Sequence, residues 1–323
     1  MSVETFTVAA TLPQIKGQPR PATNKMKGMS GAVQKRKKFV VLGSAGQLGR
    51  DLCPRLPGEV VALTRADFDL TQPEPPREML AKLAPDLVIN CAAYNYVDRA
   101  ESEPAAAFAV NAWAVKRLAV LCRELGCTLV HFSTDYVFGL DTGRREPYGE
   151  ADPPGPLSVY GLSKLSGEFM VRTHCPRHFV IRTCGLYGAS GSGGKGGNFV
   201  ETMLRLAREG KPLRVVADQV CAPSYTVHVA EAVVKLVQTE HFGMYHLTNS
   251  GSCSWHQFAQ KIFAVAGINA NLATIGSAEY GSAARRPGFS VLANARYEAL
   301  GFPKLPVWQD AVEIYLRNRD KPP

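Results

Sequence analysis

With 323 residues, 46% hydrophobic and 20% charged, the chain can bury a full core as one large domain or a large domain plus a small lobe. No apolar run reaches the ~18 residues of a membrane span, the N-terminus lacks a continuous hydrophobic signal stretch, and eight scattered cysteines without a CxxC pair argue against a structural metal and suit reduced thiols in a cytoplasm. The formal charge of +9 is concentrated in residues 1–38, where eight Lys/Arg face Glu4 alone and carry +7 of it.

That head has no aromatic interleaving and little apolar periodicity. Residues 1–37 therefore read as a disordered basic extension rather than a nucleic-acid arm, with Met26 and Met29 as alternative starts. Lys38–Leu42 is a short apolar run ending in glycine, a buried strand. Gln47–Leu56 follows as a helix stopped near Pro57-Gly58, and Glu59–Leu63 as a second strand. A helix over Glu78–Leu83 leads into the strand Asp86–Asn90. Ala105–Leu125 has apolar positions at three- and four-residue spacing and predicts one long helix. Thr128–Phe132 is the next strand, with Ser133-Thr134-Asp135 at its C-terminal end. Beyond the Pro-rich loop, Val159–Thr173 is helical and Phe179–Arg182 extended.

From about Tyr187 the pattern loosens. Ser190–Gly197 is a flexible Gly-rich loop, Asn198–Glu209 and Tyr225–Thr239 are helices, and Met244–Thr248 is a strand. Trp255–Ala266, Ala293–Leu300 and Trp308–Arg317 close the chain as helices. Strands alternating with helices imply right-handed crossovers: an α/β fold, a Rossmann-type doubly wound parallel sheet. The sheet domain is expected over 38–186, rejoined by about 225–248, with a smaller C-terminal substrate-binding lobe made of 187–224 and 249–323. In such sheets ligands lie beyond the carboxyl ends of the strands. The turn Gly43–Gly49, Ala92-Ala93, Ser133-Thr134 and Thr183-Cys184 all fall at that edge.

Gly43-Ser44-Ala45-Gly46-Gln47-Leu48-Gly49 is a glycine-punctuated strand-to-helix turn whose small residues let the backbone approach a pyrophosphate. At the end of the second strand, Thr64-Arg65 offers a guanidinium to a 2′-phosphate where an acid would bond a ribose hydroxyl, which leans to NADPH over NADH. Asp69-Leu70 lies where it can cradle the adenine, although Asp67 and Asp69 also suit turns.

Tyr160 and Lys164 stand one helical turn apart and so share a face. An ammonium beside a phenol favours the phenolate, so Tyr160 is expected to release its proton well below its ordinary pKa of about 10. Thr134 completes a catalytic triad: its hydroxyl donates to a substrate carbonyl while Tyr160 gives the proton, and Lys164 also holds the nicotinamide ribose. Asn111 is either a proton relay or an ordinary helix residue. Arg182, Arg285 and Arg286 suit a diphosphate-bearing substrate, Arg286 best because it precedes Pro287 in a stiff loop; each alone is more often a surface charge or an ion-pair member. Trp255 and Trp308 read as packing residues.

These motifs resemble those of the dTDP-4-dehydrorhamnose reductase family within the extended short-chain dehydrogenase/reductases. The resemblance rests on Gly43–Gly49, Asn90-Cys91-Ala92-Ala93 with Val97-Asp98-Arg99-Ala100-Glu101, and Ser133-Thr134-Asp135-Tyr136-Val137-Phe138. It continues through Tyr148–Pro153, Tyr160-Gly161-Leu162-Ser163-Lys164 with Gly167-Glu168, Asn198-Phe199-Val200, Asp218-Gln219 and Arg285-Arg286-Pro287, and so spans about 38 to 318. It implies hydride transfer from a reduced nicotinamide to the C4 ketone of a nucleotide-linked 4-keto-6-deoxy sugar, with Thr134, Tyr160 and Lys164 carrying catalysis. Asp135 and Tyr136 would flank the sugar, and Asn198, Gln219 and Arg286 would face sugar or phosphates. Ala45, Gln47, Leu48, Ala92, Ala93 and Asn95 fall where the family holds the cofactor, with Asn95 replacing a more usual Thr. Mg²⁺ is a family trait for which the sequence offers no convincing ligand cluster, and a homodimer is left open.

Three positions depart from the family pattern. Gly185 stands where many members have a Trp that packs on the sugar, Cys221 replaces a Gly, and Phe289 stands where an Asn often follows Arg-Pro. Two other readings compete: an NAD-dependent epimerase or dehydratase of the same fold, and a non-catalytic NADP-binding regulatory subunit. The intact Thr134, Tyr160 and Lys164 weigh against the second.

Overall fold

In the computed structural model, which describes residues 36–72, 77–189 and 197–319, the apolar runs become six parallel strands. They are β1 (Lys38–Leu42), β2 (Glu59–Leu63), β3 (Leu87–Asn90), β4 (Thr128–Thr134), β5 (His178–Thr183) and Gly243–His246. Their order across the sheet is Gly243–His246, β5, β4, β3, β1, β2. The predicted extension over 1–37 lies almost wholly outside the described residues, as does most of the Ser190–Gly197 loop.

Alternation places the strand side chains. Phe39 and Val41 of β1 join Ile89, Val130 and Ile181 in one apolar cluster, while Val40 and Leu42 join Val88, Leu129 and Val180 in another. The period of two sends successive residues to opposite faces, and helices cover both. Helices α1 (Gln47–Leu52) and, from the far end of the sheet sequence, Thr226–Leu236 pack together on the first face, with Leu52, Val229 and Val233 fully buried. On the other face lie α2 (Arg77–Leu83), α5 (Ala114–Glu124) and α6 (Val159–His174).

The chain departs from the predicted elements where a side chain intervenes. The first helix ends at Leu52 and tightens to a 3₁₀ turn over Cys53–Arg55, because Pro54 has no N–H for the α ladder. The expected single helix over Ala105–Leu125 is preceded by α3 (Val97–Ser102) and divides into α4 (Pro104–Phe108), a π turn over Ala109–Trp113, and α5. Asn111 explains the interruption: buried, it accepts from the Tyr94 N–H at 2.9 Å and donates to the Tyr94 carbonyl and to Ser163 Oγ, both at 3.0 Å. π turns of this kind often mark functional sites. Pro104–Glu124 together is long and apolar enough by composition to cross a membrane, contrary to the sequence reading, yet half of it is buried against the sheet and α6.

The described residues from Arg36 onward form one compact unit, in which the predicted lobe elements have an apolar cluster of their own. Helix α7 (Phe199–Arg208) is capped by Asn198, and Trp255–Ala266 by a capping box between Ser254 and Gln257. With Trp308–Asn318 they enclose Tyr187, Phe258, Ile262 and Tyr315. Two short parallel strands, Leu213–Val216 and Leu272–Ile275, were not legible in the sequence because four residues give too few periods to count.

Candidate active site

Strand order reverses between β1 and β3, since β2 follows β1 on one side and β3 continues on the other. A crevice forms beyond the carboxyl ends at such a point. The glycine turn closes over it: a Cβ on Gly43, whose φ is +72°, would fall 2.8 Å from the Ala92 nitrogen. A Cβ on Gly49 would meet the Gly43 carbonyl at 2.6 Å. The turn thus lies directly on the end of β3, with Gln47 and Leu48 buried beneath it and Ala45 exposed at its crest. Gly43, Ala45, Gly46, Gly49, Ala92 and Ala93 bear no side chain larger than a methyl group, which fits a dinucleotide backbone. Asn95 is exposed just beyond.

The end of β2 reaches the same turn, because the Ser44 N–H donates to the Leu63 carbonyl at 3.1 Å. Arg65 therefore projects from the crevice rim, 83% exposed and 3.6 Å from Asp69. Asp69 accepts from the Thr71 N–H and hydroxyl at 2.9 and 2.7 Å, which holds its carboxyl below the usual range. Leu70 does not face the crevice as expected. It is buried with Leu42, Leu63 and Leu80, where an apolar side chain is better placed than in water.

Helix α6 begins at the N-cap Ser158, which accepts from the Gly161 N–H at 3.1 Å, so Tyr160 lies in its first turn and Lys164 one turn later. Lys164 is 3% exposed and donates to the Phe132 carbonyl of β4 at 2.6 Å. Burial lowers its pKa to about 8, against the pull of Glu168 and Cys91, which raise it. Tyr160 corrects the sequence reading. Burial pushes its phenol up, the Thr134 hydroxyl holds it down, and the Lys164 charge is directed into a backbone carbonyl instead. A phenol so raised is protonated at neutral pH, the state a proton donor requires.

Asp135 was expected to flank the sugar. Its carboxylate is instead buried and taken up within the protein, accepting from Ser290 Oγ at 2.6 Å, Cys184 Sγ at 3.1 Å and Thr134 Oγ1 at 3.1 Å. Burial raises its pKa and these donors oppose the rise. Tyr136 is partly exposed, edge-on to Tyr160 with ring centroids 5.9 Å apart, and its hydroxyl bonds Arg286. Arg286 lines a cavity of about 620 Å³ together with Arg145, Gln219, Ser277, Arg285 and Phe289. Tyr136 thus connects the Tyr/Lys pair to this cavity.

Gln219 is 5% exposed in that wall and donates to Ser277 Oγ at 2.8 Å. Asn198 is not brought to it. Its amide caps α7, bonds the Gly188 carbonyl at 2.8 Å and reaches Gln47 of the glycine turn at 3.4 Å. Arg182, a candidate for phosphate, is 3% exposed and forms a two-pronged pair with Glu168. Asp98 was quoted only as part of a motif, yet it holds Arg286 with two hydrogen bonds, and no local signal links residues so far apart in sequence. Among the described residues no group of three His, Cys, Asp or Glu side chains is placed to hold a metal ion.

Comparison with known proteins agrees with this arrangement. The family described as "RmlD substrate binding domain" matches residues 37–320. The spore coat polysaccharide biosynthesis protein SpsK of Bacillus subtilis (strain 168) is 39% identical over 286 residues, covering 87% of this chain and 98% of its own. The dTDP-4-dehydrorhamnose reductase of Streptomyces griseus is 38% identical over 287 residues, covering 86% of this chain and 92% of its own. Among solved structures, dTDP-4-dehydrorhamnose reductase from Bacillus anthracis str. Ames in complex with NADP is similar at a TM-score of 0.82 and 35% identity, covering 87% of this chain and 99% of that one. A match over nearly all of 37–320 and identities near 38% across almost the full length of the relatives place the chain in the dTDP-4-dehydrorhamnose reductase family, as an oxidoreductase of that type.

Proposed function

We propose that the chain reduces the C4 ketone of a nucleotide-linked 4-keto-6-deoxy sugar, dTDP-4-dehydro-L-rhamnose to dTDP-L-rhamnose, with NADPH as reductant and Tyr160 as proton donor. The observation that carries this reading is the meeting of the Tyr160 and Thr134 hydroxyls between the glycine-floored crevice and the Arg286 cavity. The reading is further supported by the NADP bound to the Bacillus anthracis relative and by the names of the curated relatives.

Gly43, Ala92 and Ala93 would hold the backbone of a bound dinucleotide, whose reduced nicotinamide would supply hydride to the ketone carbon. Arg65 at the rim is the residue placed to meet a 2′-phosphate. Thr134, its hydroxyl turned from Asp135, would donate to the ketone oxygen, and Tyr160, kept protonated by burial, gives that oxygen its proton. Lys164, one helical turn after Tyr160, donates to the Phe132 carbonyl here and would have to turn from it to hold the nicotinamide ribose and bring its charge to the phenolate left behind. Arg286, with Arg285 and Arg145 in the same wall, meets the diphosphate, and Gln219 contributes a neutral contact. Asp135 favours reduction over dehydration, since its oxygens are already engaged by Ser290 and Cys184.

The test is an assay of purified protein with dTDP-4-dehydro-L-rhamnose and NADPH. Oxidation of the cofactor coupled to formation of dTDP-L-rhamnose is expected. Tight NADPH binding with no turnover on any keto-sugar nucleotide would sink the reading in favour of a regulatory role.

A further inference from the structure

Glu168 accepts three buried hydrogen bonds and has no part in the mechanism above. Arg182 Nε and a terminal guanidinium nitrogen donate to its two oxygens at 2.8 and 2.7 Å, and Ser133 Oγ donates at 2.5 Å. Glu168 and Arg182 are 1% and 3% exposed. The Arg182 guanidinium also lies 5.0 Å from the Phe138 ring centroid and 3.4 Å from His246, whose own charge burial and Arg182 suppress. Each member of this buried pair supplies the hydrogen-bond partners the other needs, so removing one alone would strand the other.

The placement of its partners gives this pair a purpose. Ser133 stands immediately before Thr134, and Arg182 is the register partner of Ser133 on β5. Lys164, one turn before Glu168 on α6, donates to the carbonyl of Phe132, the next residue back along β4. Two consecutive residues of β4 therefore grip α6 at two consecutive turns, directly ahead of the Thr134 hydroxyl. Residues four apart on a helix share a face, so the fixed carboxylate acts electrostatically on the lysine ammonium without pairing with it.

We propose that Glu168 is a positioning residue for the Tyr160–Lys164 pair: clamped by Arg182 and Ser133, its carboxylate sets α6 in register on β4 and keeps the buried Lys164 ammonium charged at working pH. The proposal rests on the reductase reading, which gives that charge its use. The titratable groups facing Lys164 are Glu168 and Tyr160 on its own helix, Cys91 at the end of β3 and His131 on β4. Burial and the Lys164 charge keep His131 neutral, and burial pushes the Cys91 thiol up. Glu168 is therefore the anion among them. Burial alone would discharge the lysine, and the carboxylate opposes that loss.

The experiment is an NMR titration of the full chain carrying lysine labelled with ¹³C at Cε, the Lys164 signal being the one absent from Lys164→Met. In Glu168→Gln the midpoint is expected to fall by about one pH unit or more, a tenfold change in the charged fraction. Glu168→Asp, which keeps the charge, is expected to stay near the wild-type value. If Glu168→Gln fails to fold around an unpaired Arg182, the double variant Glu168→Met with Arg182→Met removes both charges together and is expected to show the same fall. The pH at which kcat declines should shift by the same interval, with KM for NADPH little changed. An unmoved Lys164 midpoint in a variant with native circular dichroism would overturn the proposal. The titration uses no substrate, so absence of turnover in the wild type would count against the reductase reading alone.

Discussion

Arg286 and Asp98 meet in a two-pronged ion pair at 3.0 and 2.7 Å, joining the Arg-Pro loop that lines the cavity to α3. Burial works against the arginine charge, but Asp98 and Tyr136 outweigh it and hold its pKa above the ordinary value. Because Asp98 is half-exposed, the pair contributes at most about 1 kcal/mol to stability. Arg286→Ala is expected to leave the thermal midpoint nearly unchanged while raising KM for the sugar nucleotide about 10- to 100-fold, the worth of a charge-assisted contact. Steady-state kinetics beside a melting curve checks both halves.

Removing the Tyr160 hydroxyl removes the proposed proton donor and little else. Tyr160→Phe is expected to lower kcat by about 10²- to 10⁴-fold, with NADP binding retained. Full turnover in this variant would assign the proton to another group.

Activity should decline as pH rises through about 8, where Lys164 loses its charge. The sign for stability is opposite. Folding depresses this pKa from 10.5 to about 8, so between those values the unfolded chain binds more protons and the contribution of Lys164 to stability rises with pH. Tyr160, raised by burial, acts in the other direction only above its unperturbed value of about 10. Rate profiles and urea unfolding between these limits separate the two effects.

Gly185 has φ +51°, and a Cβ there would lie 3.2 Å from both Pro223 Cα and the tip of the Trp255 indole. The indole that the family resemblance implies at 185 therefore has no space, because Trp255 occupies the neighbouring volume, packed on Phe199 at 4.8 Å. Gly185→Trp is expected to destabilise the fold by about 1–3 kcal/mol through overpacking. Adding Trp255→Gly should recover part of that loss, a coupling that urea midpoints of the single and double variants would reveal.

Arg65 is the exposed cation proposed to meet a 2′-phosphate. Arg65→Glu is expected to shift the kcat/KM preference about tenfold or more from NADPH toward NADH, because the new acid repels phosphate and can bond a ribose hydroxyl. An unchanged preference would move that recognition to another residue.

Much of this site was legible because its signals are local. Gly43–Gly49 specifies a turn through φ and close backbone approach, and Tyr160 with Lys164 shares a face through helical pitch alone. For Arg182 the sequence left phosphate contact and ion pairing open, and the structure shows the ion pair: it follows the apolar run Phe179–Ile181 of a strand covered on both faces, and a charge there must find a buried partner. Asp135 was misread for a different reason. Its partners Ser290 and Cys184 lie 155 and 49 residues away, beyond any periodicity.

The amino-acid order by itself determined the parallel sheet, the glycine floor and the helix that carries the Tyr/Lys pair, since each follows from backbone preference and apolar spacing within a few residues. Only the tertiary structure decided which charges reach the cavity and which are used up inside. It turned Arg286 outward with Asp98, locked Arg182 to Glu168, engaged Asp135 within the protein, raised the Tyr160 pKa through burial, and laid Trp255 over Gly185. Burial and pairing depend on what distant segments bring to the same place, and a side chain carries no local record of that.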